Sequence, residues 1–374
     1  MIKKKGFLAA TSLAGLLLLV FCGKQKLEWQ GEIYKSEGVK IIRNPKTPMY
    51  EKDVLELEEE LSLGGKEVQK QEHMFSSIKE MCVDDSGNMY ILDINQKSIN
   101  KFNSKGEFLG ALGRTGQGPG EYGFPWDICI SGNRLVVFDI IYRRIIFYSL
   151  DGEHIKHINT FKKGQLLDIE MNSNQEFLVH LLASGQKSMY ELSWFDADFN
   201  KIEVIESFER EKIPLLESLS PDIHWCLTKK DEVVWGYSDR YEIKILDAHG
   251  QLTTRILRNY DPIPVNEQEY AGQIKRKFGG KSPGPRFQQK LPKNHPAFHS
   301  ILSDDQGRIF IGTFDNTEDQ GHNYDILDAQ GKYIAQMTFP VTPFLFKKGK
   351  LYCLEQDPDG FILVKRYRVK WKHI

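Results

Sequence analysis

The feature that most constrains this chain is a repeated arrangement of short β-rich segments, each preceded by a turn signal. Six such segments begin at Met89, Leu135, Phe177, Val233, Ile309 and Leu351, and a turn containing Gly, Asn or Asp lies just before each one. Two strands joined by such a turn form a β-hairpin. Most of the hairpins are followed by a third strand that ends in an aromatic residue or leucine and by a further turn, as at residues 102–106 and 148–152.

The repeated unit is therefore strand, turn, strand, loop, strand, turn, strand, with a period of about 40 to 50 residues. Four short antiparallel strands form one blade of a β-propeller, and six copies fit between about Ile78 and Trp371. The sequence thus predicts an all-β chain folded as a six-bladed β-propeller. Residues 32–42 and 54–61 are also strand-like, and we expect them to supply an outer strand to the last blade and close the ring. Two packed β-sandwiches, the main alternative, would show no four-strand period.

The sequence of the linker after the first blade resembles that of a known family of proteins. Its residues 116–122 read Gly-Gln-Gly-Pro-Gly-Glu-Tyr. This segment resembles the linkers between blades in NHL-type propellers, and it is similar to a signature of the bacterial six-bladed β-propeller lipoproteins, a family largely without known activity. The resemblance implies a fold rather than a reaction. We expect Gly116, Gly118 and Gly120 to form a tight loop that needs positive φ, not a dinucleotide site, because a strand rather than a helix follows.

The N-terminus predicts export. Three lysines at positions 3–5 precede an uncharged run from Phe7 to Phe21, which is short for a membrane-spanning helix and suits a signal peptide. The run ends at Cys22, in a context that resembles a bacterial lipobox, although Phe21 is larger than the residue usual before the cysteine. We therefore expect a lipoprotein signal peptide at 1–21, an anchor linker at 22–28 and the propeller at 29–374. Ordinary secretion and an uncleaved anchor are the alternatives.

This N-terminus also predicts the location and one partner of the chain. The expected place is the bacterial cell envelope, on the periplasmic side or the cell surface, with the lipid as the contact to a membrane. The net charge of −1 argues against a nucleic-acid partner. Cys82, Cys129, Cys226 and Cys353 lie in apolar runs without metal-like spacing, and we expect single buried thiols.

Aligning the blades predicts a ring of polar residues at one mouth of the central channel. The residues at the start of the innermost strands are Glu80, Asp127, Asp168, His224, Ser300 (or His299) and Thr342. Carboxylates and an imidazole that converge there would suit a divalent cation or an acid/base pair. The alternative is that they are hydrated side chains lining the channel. The pattern does not specify a metal site. Asp93 and Asp139, at equivalent ends of second strands, are expected to cap loops.

A long basic insertion, residues 258–297, separates the fourth and fifth blades. It contains the lid candidates Lys275, Arg276, Lys277, Lys281 and Arg286, with no acidic residue between Tyr270 and Pro296. Loops of this length in compact domains are usually functional or disordered. The blade topology places this insertion on the same face of the propeller as the predicted ring of polar residues. It is therefore either a basic lid over the channel mouth or a solvent-exposed surface loop. Trp126 and Trp225, each one residue from a ring position, are further ligand-contact candidates.

Two functions remain open on the sequence. The first is a monomeric binding module whose channel face engages a protein, peptide or glycan. The second is a metal-assisted enzyme of the lactonase or lyase type that uses Glu80, Asp127, Asp168 and His224, which rests on analogy between folds. A purely structural envelope protein is the third alternative. The nucleophile motif Gly-x-Ser-x-Gly and the zinc motif His-Glu-x-x-His are both missing from the sequence.

Overall fold

The computed structural model describes residues 28–51, 54–66, 71–160, 164–183, 185, 187–209, 219–266, 268, 271–272, 275, 292–314 and 321–372. Within these residues the chain forms 28 strands. They are arranged as six blades, five of them four-stranded sheets and one extended to six strands. The predicted all-β, six-bladed propeller is confirmed.

The strands follow one another around the ring in chain order. Three strands precede the first blade: β1 (Glu32–Ser36), β2 (Val39–Asn44) and β3 (Leu55–Gly64). Blade one contains β4 (Ile78–Val83), β5 (Met89–Asp93), β6 (Ser98–Phe102) and β7 (Phe108–Ala111). Two short strands, β8 (Arg114–Thr115) and β9 (Glu121–Tyr122), pair in the linker. Blade two contains β10 (Pro125–Ser131), β11 (Arg134–Asp139), β12 (Arg144–Ser149) and β13 (His154–Asn159).

The remaining blades repeat this order from the channel outward. Blade three contains β14 (Gln165–Met171), β15 (Phe177–Ala183), β16 (Met189–Phe195) and β17 (Lys201–Glu209). Blade four contains β18 (Ile223–Leu227), β19 (Val233–Tyr237), β20 (Glu242–Leu246) and β21 (Leu252–Arg258). Blade five contains β22 (Ser300–Ser303), β23 (Ile309–Thr313), β24 (His322–Leu327) and β25 (Tyr333–Phe339). Blade six contains β26 (Thr342–Lys347), β27 (Lys350–Gln356) and β28 (Ile362–Trp371).

The hydrophobic core lies between the blades. The second strand of each blade is covered on both faces, so β5 and β11 read as continuous apolar runs and are buried almost throughout. Across one such contact, Phe147 of blade two and Phe177 of blade three meet edge to face with 6.1 Å between ring centroids. The outer strand β13 is mostly exposed and carries polar residues. Burial thus falls from the inner strands to the rim.

One N-terminal strand closes the ring as predicted. β3 pairs antiparallel with β28 and becomes the outer strand of blade six. Glu60 of β3 forms ion pairs through its Oε2 atom with Lys350 Nζ, at 2.7 Å, and with Arg366 Nε, at 3.2 Å. The Glu60 carboxylate also lies 2.7 Å from the Arg368 guanidinium. The first and last parts of the propeller are therefore joined by main-chain hydrogen bonds and by a shared carboxylate.

The other N-terminal strand does not go to the last blade. The prediction for residues 32–42 is wrong, because β2 pairs parallel with β21 and extends blade four, with β1 outside it. Ile42 is fully buried there. The carboxamide of Asn44 bridges blades four and five, accepting from Tyr333 N at 2.7 Å and donating to Gly331 O at 2.9 Å. Packing and side-chain hydrogen bonds therefore place this hairpin, and the β-rich composition alone did not reveal them.

The glycine-rich linker is shaped mainly by one carboxylate. Of the three glycines predicted to need positive φ, only Gly120 has it, at +71°. Gly116 and Gly118 instead leave room for the Glu121 side chain, since a Cβ at Gly116 would lie 2.1 Å from Glu121 Oε2 and one at Gly118 would lie 3.1 Å from it. The same oxygen accepts a hydrogen bond from Gly118 N at 2.8 Å. The loop folds around Glu121.

Two other predictions are settled by the described part of the chain. Cys82, Cys129, Cys226 and Cys353 are all free, as expected, but only Cys129 and Cys353 are buried, while Cys82 and Cys226 are partly exposed. The Asp93 carboxylate accepts backbone hydrogen bonds from both neighbouring loops, as Asp139 does in blade two. Both aspartates therefore cap loops. Among the residues described, no helix has the length and apolar character needed to cross a membrane.

Candidate functional site

A central cavity of about 570 Å³ runs between the six inner strands. Residues from every inner strand line it, including the predicted Glu80, Asp127, Asp168, His224, His299 and Ser300. The innermost strands of blades one, two and three contact one another in turn, which brings the three carboxylates to the same end of the cavity. We call this end, defined by Glu80, Asp127 and Asp168, the acidic mouth.

A β-bulge in the inner strand of blades one, two and three determines the direction of these carboxylate side chains. The register of the inner strand shifts by one residue at Lys79, Trp126 and Leu167, immediately before the residue of the acidic mouth in blades one, two and three. Such a β-bulge re-aims the following side chain. The same shift occurs in blade six at Phe344, so that Leu345 takes the register place. Thr342 was predicted there wrongly: it lies at the first position of β26, three residues before Leu345, and does not line the cavity.

Burial raises the pKa of two of the three carboxyl groups, Glu80 and Asp127. Glu80 accepts a hydrogen bond from Met81 N at 3.0 Å. Burial raises the pKa of Glu80 to about 8, against the effects of that hydrogen bond and of the Lys79 charge. Asp127 accepts from Ile128 N at 2.7 Å and from Ile169 N at 2.8 Å. Burial and the Glu80 charge nevertheless raise the pKa of Asp127 well above its usual value.

Lys79 lies among these carboxylates and was not predicted. Its Nζ atom is 3.7 Å from Asp168 Oδ1 and 5.3 Å from the centroid of the Trp126 ring. Burial alone would lower the pKa of Lys79, but the charges of Asp168, Asp127 and Glu80 outweigh it and raise the pKa. Trp126 is held in place by a hydrogen bond from its Nε1 to Leu167 O at 3.0 Å. In the sequence, only the charged residue next to Glu80 could have signalled this arrangement.

Asp168 is the most open carboxylate of the acidic mouth. Its side chain is 47% exposed, and its Oδ2 lies 3.7 Å from Nδ1 of the buried His180. The other ring nitrogen of His180, Nε2, lies 3.5 Å from Asp222 Oδ1. Burial would raise the pKa of Asp168, but His180 and Lys79 hold it below the usual value. Asp168 is therefore the charged carboxylate of the mouth. His180 lies on β15, the second strand, where an alignment of inner strands could not find it.

The opposite side of the mouth is uncharged. Burial, with the nearby His299 and His180, lowers the pKa of His224 to about 3. Burial and His322 lower the pKa of His299 as well. Ser300 contributes a hydroxyl and Leu345 an alkyl group. The mouth therefore has an acidic half from blades one to three and a neutral half from blades four to six.

A second layer lies two residues deeper on each inner strand. It contains Cys82, Cys129, Glu170, Cys226, Leu302 and Lys347, all of which line the cavity. Burial raises the pKa of all three thiols, that of Cys226 to about 12. Burial also raises the pKa of Glu170 to about 7, although Leu227 N donates a hydrogen bond to it. The thiols are thus protonated and act as small apolar groups.

The described residues at the mouth are not arranged as a metal-binding site. Among the residues that the structure describes, no three His, Cys, Asp or Glu side chains are grouped so as to hold a metal ion. The physical reason is visible at the mouth. Glu80 and Asp127 are engaged by backbone N–H groups, and the ammonium group of Lys79 lies among the carboxylates.

The predicted lid is only partly described. Lys275 is exposed. Arg276, Lys277, Lys281 and Arg286 lie outside the described residues, so the lid remains a prediction. Trp225 lines the cavity, whereas Trp126 contacts Lys79 at the mouth.

Comparison with known proteins agrees with this architecture. Residues 68–224 match a family described as 6-bladed beta-propeller. A Bacteroides fragilis protein described as exported has the same fold at 12% identity, with 88% of this chain and 99% of that one aligned and a TM-score of 0.57. A DUF4221 family member from Bacteroides vulgatus aligns at 14% identity over 85% and 99% of the two chains, with a TM-score of 0.51.

A more distant structure is a gluconolactonase from Xanthomonas campestris, at 10% identity over 79% of this chain and 87% of that one, with a TM-score of 0.45. No curated protein matches the chain. At 12% and 14% identity the two Bacteroides structures show the fold alone. The resemblance to six-bladed β-propeller proteins drawn from the linker is confirmed.

Proposed function

We propose that this six-bladed β-propeller is an exported binding module that holds its ligand at the acidic mouth of the central channel. The observation that supports the proposal is the cavity of about 570 Å³, lined by inward-facing polar groups from several blades. Ligand sites are typically concave spaces of about 300–1,000 Å³ with a few convergent polar groups. The cavity has both properties.

The groups at the mouth suit binding better than a reaction. Asp127 and Glu80 are fixed by backbone hydrogen bonds, and the three thiols below them are protonated. A reactive thiol needs its thiolate form, and burial raises the pKa of these thiols rather than lowering it. The metal-assisted alternative would need a ligand set, and none is assembled within the described chain. Binding requires only the shape and polarity that are present.

Export and anchoring complete the proposal. The signal-like segment at 1–21 and the lipobox-like Cys22 support a location in the cell envelope, with the chain held to a membrane by a lipid. Both lie outside the described residues. The Bacteroides fragilis protein with the same fold is also described as exported. We propose that the lipid holds a monomeric propeller at the membrane while its channel engages a small molecule or the end of a peptide or glycan.

A plugged channel tests the proposal. Ser300 lines the cavity, so Ser300→Trp should fill the mouth, while Ser36→Trp on the exposed strand β1 provides a matched control. Peptides, glycans and small metabolites would be screened for an increase in Tm with both variants and the unmodified protein. A ligand should raise Tm in the unmodified protein and the control but not in the plugged variant. Equal shifts in all three proteins, or no shift with any compound, would count against a channel ligand.

A further inference from the structure

The acidic mouth holds more carboxyl groups than cations. Glu80, Asp127 and Asp168 converge there, and Glu170 lies one layer below. Lys79 lies among them and pairs with the charged Asp168, 3.7 Å from its Oδ1. Glu80 and Asp127 have no cation of their own, so a further cation would be attracted as they lose their protons.

Lys79 shows what kind of cation fits. Its ammonium group lies 3.7 Å from Asp168 Oδ1 and 5.3 Å from the centre of the Trp126 ring, within the usual cation–π range. A carboxylate beside an aromatic face is a favourable environment for an alkylammonium group. The Lys79 side chain therefore serves as an internal example of the ligand chemistry that this mouth accepts.

The mouth retains unused polar capacity. The Asp168 side chain is 47% exposed to the channel despite its contacts with Lys79 and His180. His180 is 2% exposed, and its Nε2 atom has no hydrogen-bond partner among the described residues. That nitrogen is directed at Asp222 Oδ1, 3.5 Å away, beside the acidic mouth. Burial raises the pKa of Glu80 and of Asp127 despite the nearby Lys79 charge, so an incoming cation would stabilise their ionised forms.

We infer that the acidic mouth binds the alkylammonium group of a small-molecule ligand, between Asp168 and Trp126 and in competition with the ammonium group of Lys79. The inference rests on the proposed channel-binding function and gives the chemical class of the ligand. The neutral half of the mouth, with His224, Ser300 and Leu345, faces the rest of the molecule.

A charge series of equal length tests the inference. Cadaverine, pentanediol and glutarate differ only at their ends, which are ammonium, hydroxyl and carboxylate groups. Calorimetry at neutral pH should show cadaverine binding about tenfold or more tightly than pentanediol, because a hydrogen bond to a charged group contributes about 1.5–3 kcal/mol. Glucosamine against glucose, and acetyl-lysine amide with a free or acetylated ε-amine, would then distinguish an amino sugar from a lysine side chain.

Variants of the mouth give the decisive comparison. Asp168→Asn should weaken cadaverine binding about tenfold, whereas Asp198→Asn in an exposed turn should leave it unchanged. Lys79→Met should strengthen cadaverine binding about tenfold, because it removes the competing ammonium group and keeps the alkyl chain. Lys79→Gln provides a second variant if Lys79→Met does not fold.

The opposite results would overturn the inference. If glutarate binds and Lys79→Met abolishes that binding, Lys79 binds the carboxylate group of an anionic ligand instead. Equal binding of cadaverine and pentanediol would remove the charge requirement, and displacement of cadaverine by equimolar Ca²⁺ would assign the mouth to a metal ion. If a non-amine ligand from the Tm screen binds in the unmodified protein and fails in Ser300→Trp, the channel function stands and only the amine assignment fails.

Discussion

The protonated Glu80 carboxyl predicts how the stability of the propeller depends on pH. Burial raises the pKa of Glu80 from its usual 4.5 to about 8, so between these values the folded protein keeps a proton that the unfolded chain releases. The free energy of unfolding must then fall as the pH rises through this interval, and the contribution is lost above about pH 8. Glu80→Gln keeps the acceptor for Met81 N and cannot ionise, so it removes this dependence.

The magnitude follows from the shift. A change in pKa from 4.5 to about 8 corresponds to at most about 5 kcal/mol. Channel water screens part of it, and about 1–3 kcal/mol is the expected difference. Below about pH 4.5 the variant and the unmodified protein should be equally stable. As the pH approaches 8, the unmodified protein should become progressively less stable than the variant.

Urea unfolding followed by tryptophan fluorescence at acidic, neutral and mildly alkaline pH measures this difference. Glu153→Gln, in an exposed position before β13, is the matched control and should show no pH-dependent difference. The control also separates the loss of one negative charge from the effect of burial. A difference between Glu80→Gln and the unmodified protein that is constant with pH, or that favours the unmodified protein at alkaline pH, would refute the assignment of a protonated Glu80.

Three further predictions concern the blades, the anchor and the thiols. Asp325 is fully buried and accepts hydrogen bonds from Tyr241 at 2.7 Å and Tyr333 at 2.9 Å beside the Arg258 guanidinium, so Asp325→Ala should cost about 3–5 kcal/mol in chemical denaturation. Asp328→Ala, in an exposed turn, should cost less, and equal losses would contradict the buried network. Cys22→Ser should move the chain from the detergent phase to the aqueous phase on Triton X-114 partitioning; an unmodified chain already in the aqueous phase would refute the lipid anchor. Cys129, which is buried, should react with a chromogenic disulfide in urea but not in the native protein, because burial keeps its thiol protonated, and rapid native labelling would show that this channel thiol is accessible and ionised.

The sequence alone determined the architecture because a propeller is built from local signals. Hairpin turns such as residues 84–88 and 131–133 and the apolar second strands recur in each blade, and each signal lies within a few residues of the strands it joins. The same locality brought Glu80, Asp127 and Asp168 into register, since each begins an inner strand. The free cysteines and the loop-capping Asp93 followed from their immediate context.

Only the tertiary structure decided how the mouth is assembled. The β-bulges at Lys79 and Trp126 bring an ammonium group and an indole ring beside Asp168, and His180 reaches it from a second strand. The hairpin of β1 and β2 pairs with blade four because burial of Ile42 and bridging by Asn44 favour that site over the last blade. These contacts join residues far apart in the chain, and their free energy depends on burial and distance. A linear pattern of residue types contains neither quantity.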